Sequence, residues 1–333
     1  MLNRMYAKNN ILAVFLVIVI SFWGVTLFSQ SMTKSDNRNN SSQIKFSDLN
    51  SWYFIQVKES SVIGGMTKNL YQIGNPTNCS TSENNGKRDP ESDWATTNFF
   101  AKIGVDLGVT TVSPEKKNNG YCCRMESTIK SVDIIGVKIK VLVSGTLFLG
   151  DVIEPVESIK DPIKKLNHGI FFTKRPKAVQ FSYKYKAGQK RNRVYYSSSP
   201  VDGPDKGEFC MILQKRWEDN KGNVFAKRVG GVRCFFNDSG NRWVNDTTIS
   251  ILYGDISKEP FYNPSLMGLI PQVNELYVKN SRNKMVPLTE TGWDKNGDNP
   301  THLVLYFTSS YEGIKFTGST GSVLWVDDII FVY

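Results

Sequence analysis

Histidine occurs only twice in the 333 residues, at His168 and His302, and neither sits in a serine or cysteine motif that would make it a base. A nucleophilic triad therefore has no support in the sequence. The five cysteines, Cys79, Cys122, Cys123, Cys210 and Cys234, form no CxxC pair and no metal spacing with either histidine, which excludes a zinc ribbon or finger. Adjacent Cys122 and Cys123 point to opposite faces if extended, so one is expected to pack inward. Cys210 and Cys234 could pair in an oxidising compartment, or all the thiols could serve as small buried hydrophobes. Charged residues make up only 22% of the chain, and no stretch after residue 40 keeps helical spacing. The nearest candidates, 155–166 and 261–269, are interrupted by proline, so a helical turn or two is expected at each. No internal repeat is present, and no Pro/Gly/Ser linker follows residue 44. No spacing brings two acids together as a glycosidase needs, although Glu126, Asp151, Glu154, Glu208 and Asp238 are candidates.

Aromatic residues are plentiful, with 19 Phe, 14 Tyr and 7 Trp. With β-branched residues and Gly- and Asn-rich turns they predict an all-β fold, read as one continuous β-sandwich over 45–333. Strands are expected at 51–57, 61–63, 121–129, 134–149, 178–185, 209–214, 224–227, 247–253 and 303–307. The clearest is 134–149, where Val137, Ile139, Val141 and Val143 alternate with Lys138, Lys140, Leu142 and Ser144. Residues 74–93 read as a long polar loop. The ending reads as a strand closing at Phe307, a loop in which Gly313, Gly318 and Gly321 allow positive φ, and a final strand over 323–333 apolar on both faces.

Residues 1–31 read as a signal peptide: Arg4 and Lys8 precede an apolar run from Ile11 to Phe28, and Ser29 and Ser31 supply small residues for cleavage. An uncleaved N-terminal anchor is the alternative, and then the membrane is met only through this segment. Either way the folded part is exported, to the periplasm or the cell surface. Residues 32–44 are polar and suit a flexible linker. Losing Arg4 and Lys8 lowers the formal charge from +10 to +8. That modest excess is concentrated only at Lys184–Arg193, read as a solvated hairpin tip, with an anionic glycan or surface partner as the functional reading. No nucleic-acid partner is expected.

A glycan site needs exposed aromatics to stack on apolar sugar faces and planar polar groups for paired hydrogen bonds. Trp217, Trp243 and Trp293 sit among polar, loop-like residues and are candidate ligand-binding residues, with capping of the core edge as the structural alternative. Arg175, held extended by Pro176, is a fourth candidate, with a carboxylate elsewhere in the fold as its alternative partner. Trp325, within the closing strand, reads as core. Asp327 and Asp328 stand in an apolar strand, so each must be paired, hydrogen-bonded or metal-bound. Structural calcium is one reading of them, and a carboxylate accepting backbone N–H bonds at a strand bend is the other. No catalytic residue and no other cofactor is assigned. His168 reads as a turn residue.

The segments Trp94–Asn98, Tyr121–Ser127, Leu142–Gly150 and Phe172–Pro176 leading into Phe181–Tyr185, and the run from Ser309–Ser310 to Asp327–Asp328, occur in the order of the landmarks of one family. With them the chain resembles the Putative carbohydrate metabolism domain (PCMD) family of exported bacterial proteins over roughly 50–333. The resemblance implies a jelly-roll sandwich similar to carbohydrate-binding modules, in proteins that bind glycans at or near the cell surface; it supplies no catalytic residues. The resulting expectation is a non-catalytic glycan-binding protein. A structural or adhesive surface protein and a glycoside hydrolase are the alternatives.

Overall fold

The computed structural model describes residues 42–78, 86–134, 137–271, 275–295 and 297–333. The expected signal peptide, most of the linker and Cys79 lie outside them. Among the described residues no helix is long and apolar enough to cross a membrane. The chain is all-β. The helical turns expected from the proline-interrupted segments are Pro162–Lys165 and Pro264–Met267. Ser61–Ile63, expected as a strand, is a 3-10 turn instead. Gly64 and Gly65, at φ +108° and +61°, reverse the chain there between the paired strands Trp52–Lys58 and Thr67–Ile73.

Two sheets dominate Ser42–Tyr333, which forms one compact unit. The smaller has the order Val244–Ser250, Ala178–Lys186, Val323–Val332, Gly120–Glu126, Val112–Lys117. The larger runs from His302–Thr308 through Gly207–Glu218, Val224–Phe236, Met285–Trp293, Tyr277–Lys279 and Leu166–His168 to Thr146–Val152. That last strand pairs again with His302–Thr308, Leu147 opposite Phe307, so the hydrogen bonding returns to its start and the seven strands form a ring.

The alternation of side chains explains why these strands are apolar on both faces. Phe209, Met211, Leu213, Leu303, Leu305 and Phe307 face the smaller sheet and pack on Val179, Phe181, Leu324 and Val326. The Phe181 and Phe307 rings meet edge to face with centroids 4.9 Å apart. The intervening residues Cys210, Ile212, Val304 and Tyr306 turn into the ring and share a second core with Phe148, Ala226, Val278 and Leu288. The expected sandwich is therefore present, but one of its sheets also closes on itself.

Several local expectations are corrected. Region 134–149 is two strands in two sheets: Val137–Val143 pairs back onto Thr128–Ile134, while Thr146–Val152 joins the ring. Ala178–Lys186 and Arg191–Tyr195 also lie in different sheets, so Lys184–Arg193 is not a hairpin tip. Arg191 is buried, ion-paired with Glu312 and set 4.4 Å from the Tyr311 ring centre. Cys122 and Cys123 do point to opposite faces, yet both are buried, because Trp243 covers the outer one. Cys210 and Cys234 are free; they face Arg233 and Phe209 across the strands and so lie on opposite sides of the sheet. His168 is buried in a strand.

In the closing loop, of the three glycines only Gly321 takes positive φ, +83°. Gly313 and Gly318 serve close approach instead: a Cβ would fall 2.1 Å from Ser144 Oγ at the first and 2.4 Å from Ser310 Oγ at the second. The loop is knotted around Asp205, whose Oδ2 accepts from the Ser310 hydroxyl (2.6 Å), the Ser322 hydroxyl (2.7 Å) and the Ser319 N–H (2.7 Å).

Candidate functional site

Trp217 lies near the end of strand Gly207–Glu218, where it alternates with the inward-facing Gln214 and Arg216 and so points away from the ring core. It is 43% exposed, the one tryptophan among the described residues to stand with the large hydrophobic side chains in solvent. Across the hairpin it sits opposite Phe225, the two rings near parallel at 27° with centroids 6.0 Å apart. Phe225 is in turn opposite Thr289 of the next strand. Three strands thus present Trp217, Phe225 and Thr289 in a row. The neighbouring row holds Lys215, which is paired with Asp298, and Lys227, whose ammonium donates to the Thr291 carbonyl at 3.4 Å.

The hairpin end is tied down. Asp219 Oδ1 accepts from the N–H groups of Lys221 and Asn223, both at 2.9 Å, and its side-chain bond from Asn223 holds the carboxyl below its usual range. Glu218 accepts from the N–H and the hydroxyl of Ser281, each at 2.8 Å. A flat aromatic surface with ammonium and hydroxyl groups at its margin can stack on the C–H face of a sugar ring and hydrogen-bond its hydroxyls.

Trp243 and Asp327 come together elsewhere, on the outer face of the smaller sheet. Lys117 joins them: its ammonium is 2.8 Å from Asp327 Oδ2 and 4.1 Å from the Trp243 ring centre. Lys184 stands 4.0 Å from the Trp325 ring centre and 5.7 Å from that of Trp243. The indole faces are therefore already covered by cations, an arrangement that stabilises the sheet more readily than it stacks sugar. Burial raises the Asp327 carboxyl above its usual range, against the Lys117 hydrogen bond that lowers it. Trp325 is buried, as its sequence setting implies.

Asp327 Oδ1 also accepts the Asp328 N–H at 3.0 Å, and Asp328 takes φ +52° where the pairing with Ala178–Lys186 slips register. This is the strand-bend arrangement. The Asp327 carboxylate is thus engaged by an ammonium, and no group of three or more His, Cys, Asp or Glu stands together among the described residues.

The other two candidates stand apart. Arg175 donates to the Gly297 carbonyl at 3.3 Å and to that of Asp298, and its guanidinium covers the Tyr253 ring at 4.3 Å. Its fork is spent on anchoring a loop. Trp293 is half-buried, with the Arg228 guanidinium 5.3 Å from its ring centre and Tyr262 against its edge.

Of the polar groups inside the ring, sequence reasoning named Glu208 as a candidate acid but missed Glu290 and the arginines that hold both. Glu290 accepts from Arg228 Nε (2.8 Å), Gln214 Nε2 (2.7 Å) and the Ile270 N–H (2.9 Å), and is ion-paired with a second Arg228 nitrogen. Glu208 accepts from Arg233 Nε at 2.6 Å and from the Tyr306 hydroxyl at 2.7 Å, while burial raises its carboxyl above the usual range. The signal was present: Glu208, Gln214 and Arg216 alternate in phase with Cys210 and Ile212, the set facing the ring interior.

His168 Nδ1 donates to the Tyr277 carbonyl at 3.3 Å, and burial lowers its pKa to about 4. In the unfolded chain it would protonate near pH 6.5, so its contribution to stability is complete above that pH and falls as pH drops toward 4. Between pH 7 and pH 5 this group alone is expected to remove about 2 kcal/mol. Chemical denaturation at the two pH values, compared with His168→Gln, isolates the effect; an equal loss in the variant would exclude His168 as its source.

The model of the Putative carbohydrate metabolism domain matches residues 45–229. The chain belongs to that family. No curated protein matches the chain. Two solved structures align with part of the chain. One is a putative glycoside hydrolase from Bacteroides thetaiotaomicron, with 18% identity and a TM-score of 0.42; the alignment covers 67% of this chain and 57% of that one, less than two thirds of its length. The other is a putative glycoside hydrolase from Bacteroides vulgatus, with 15% identity and a TM-score of 0.42, over 68% of this PCMD chain and 77% of the other.

Proposed function

We propose that this carbohydrate-metabolism domain binds glycan without cleaving it, on the flat face carrying Trp217 and Phe225, after export through its N-terminal segment to the periplasm or cell surface. The observation that carries the reading is the exposed, hairpin-mounted Trp217 stacked on Phe225. Membership of the PCMD family supports the substrate class. A non-catalytic role is supported by Glu208 and Glu290, both buried and both committed to arginines, which leaves them out of reach of a glycosidic oxygen. The reading needs no cofactor.

Affinity gel electrophoresis against a panel of soluble polysaccharides tests it. Retardation by at least one polysaccharide is expected, with no product released, and Trp217→Ala is expected to weaken it by roughly 2 kcal/mol, some thirtyfold in Kd. Equal retardation of wild type and variant would move the site away from Trp217. Absence of retardation by any polysaccharide would favour an adhesive role through protein contacts, and sugar release would turn attention to the buried acids.

A further inference from the structure

An apolar cavity lies away from the Trp217 face. It has a volume of about 180 Å³ and lies, partly open to solvent, between the hairpin of Thr128–Ile134 and Val137–Val143, the short strands Phe99–Lys102 and Asp106–Val109, and the end of the ring at Tyr306. Its wall is overwhelmingly apolar, with Ile103, Leu107, Val132, Ile139, Val156 and Ile314 representative. The volume exceeds the roughly 150 Å³ at which an engineered apolar cavity stays dry and takes up benzene. Space of this kind attracts an apolar guest, since water gains few hydrogen bonds there and unfilled walls forgo dispersion contacts.

Among the described residues, one ammonium or guanidinium group reaches this wall. Lys130 sits opposite Val141 and two residues from Val132, on the strand face that lines the cavity. Its ammonium donates to the Thr110 carbonyl at 3.2 Å and forms no ion pair among the described residues. Glu59 and Glu126 are within electrostatic reach, but Glu59 lies by Lys68 and Glu126 is paired with Arg124. Burial lowers the Lys130 pKa, as expected for an ammonium short of a counter-ion. Of the other titratable groups on the wall, His168 is engaged by the Tyr277 carbonyl, Glu208 by Arg233 and the Tyr306 hydroxyl, and the Tyr311 ring lies against the Arg191 guanidinium.

We infer that the cavity binds an apolar monocarboxylate, its tail among the aliphatic side chains and its carboxylate on Lys130. The tail matches about six to eight carbons, on the scale set by the benzene-sized cavity. The carboxylate supplies the missing counter-charge, and a charge-assisted hydrogen bond at the rim fixes the orientation of an otherwise featureless tail. The site is separate from the glycan face and does not depend on it.

The test is a thermal-shift and calorimetric titration of the full chain with sodium octanoate, 1-octanol and sodium acetate. Octanoate is expected to raise Tm in a saturable way, octanol to bind about tenfold more weakly and acetate to have no effect. Lys130→Met is expected to reduce octanoate to the octanol level while leaving octanol unchanged. Val132→Phe, which fills the cavity, is expected to abolish both. Equal responses to octanoate and acetate, full octanoate affinity in Lys130→Met, or undiminished binding in a folded Val132→Phe would each overturn the proposal.

Discussion

Glu290→Ala is expected to lower the unfolding free energy by about 3–5 kcal/mol, the range for breaking a buried pair from one side. The Glu290 side chain is fully buried within the ring and accepts from Arg228, Gln214 and the Ile270 backbone. Deleting it leaves the Arg228 guanidinium, itself buried, with the carbonyls of Met267 and Gly268, at 3.3 and 3.2 Å, and the Trp293 ring, but no carboxylate. Urea denaturation of the variant beside Glu259→Ala, an exposed carboxylate, measures the difference. The double variant Glu290→Leu, Arg228→Met is expected to regain most of the loss, because removing both charges removes the desolvation penalty. A single variant within 1 kcal/mol of wild type would show that water reaches Arg228.

Asp205→Ala is the second large effect, about 5 kcal/mol, since one oxygen serves three buried donors and hydrogen bonds to a charged group contribute about 1.5–3 kcal/mol each, the lower end applying where one acceptor is shared. The Ser310 and Ser322 hydroxyls and the Ser319 N–H would lose their shared acceptor, in a loop where Gly318 leaves no room for rearrangement. Asp205→Asn keeps an acceptor oxygen but not its charge, and should lose about half as much. Equal losses in the two variants would show that shape rather than charge holds the loop. The readout is denaturant midpoint, with proteolysis after residue 309 as a local probe.

The sequence disclosed those parts of the fold that depend on alternation within a single strand. The all-β class, the closing strand apolar on both faces and the brevity of the helical turns at Pro162 and Pro264 follow from local pattern. Its silence concerned pairing between distant segments. Nothing local to Leu147 and Phe307 says that they are neighbours, so the ring and its second core were not legible.

The same limit governs the site. Trp217 could be named from residue type, but its partner Phe225 is chosen by the hairpin register. Trp243 and Asp327 were named for separate reasons, and the sheet joins them through Lys117, which carried no signal of its own. Arg175 has the right chemistry for a ligand, yet loop carbonyls from 122 and 123 residues away consume it.

Strands Gly207–Glu218 and His302–Thr308 act as a party wall, each lending one face to either core. Neither room can be vacated while the other stays furnished: loss of the ring strips the sandwich of Phe209, Met211, Leu303 and Phe307, and loss of the sandwich bares the backs of Ile212 and Val304. Evolution is accordingly barred from treating this unit as two exchangeable modules. The stretch that carries the family likeness, 45–229, contains only one of the two wall strands. Excised by itself it would inherit the recognisable half of the sequence and half of a wall.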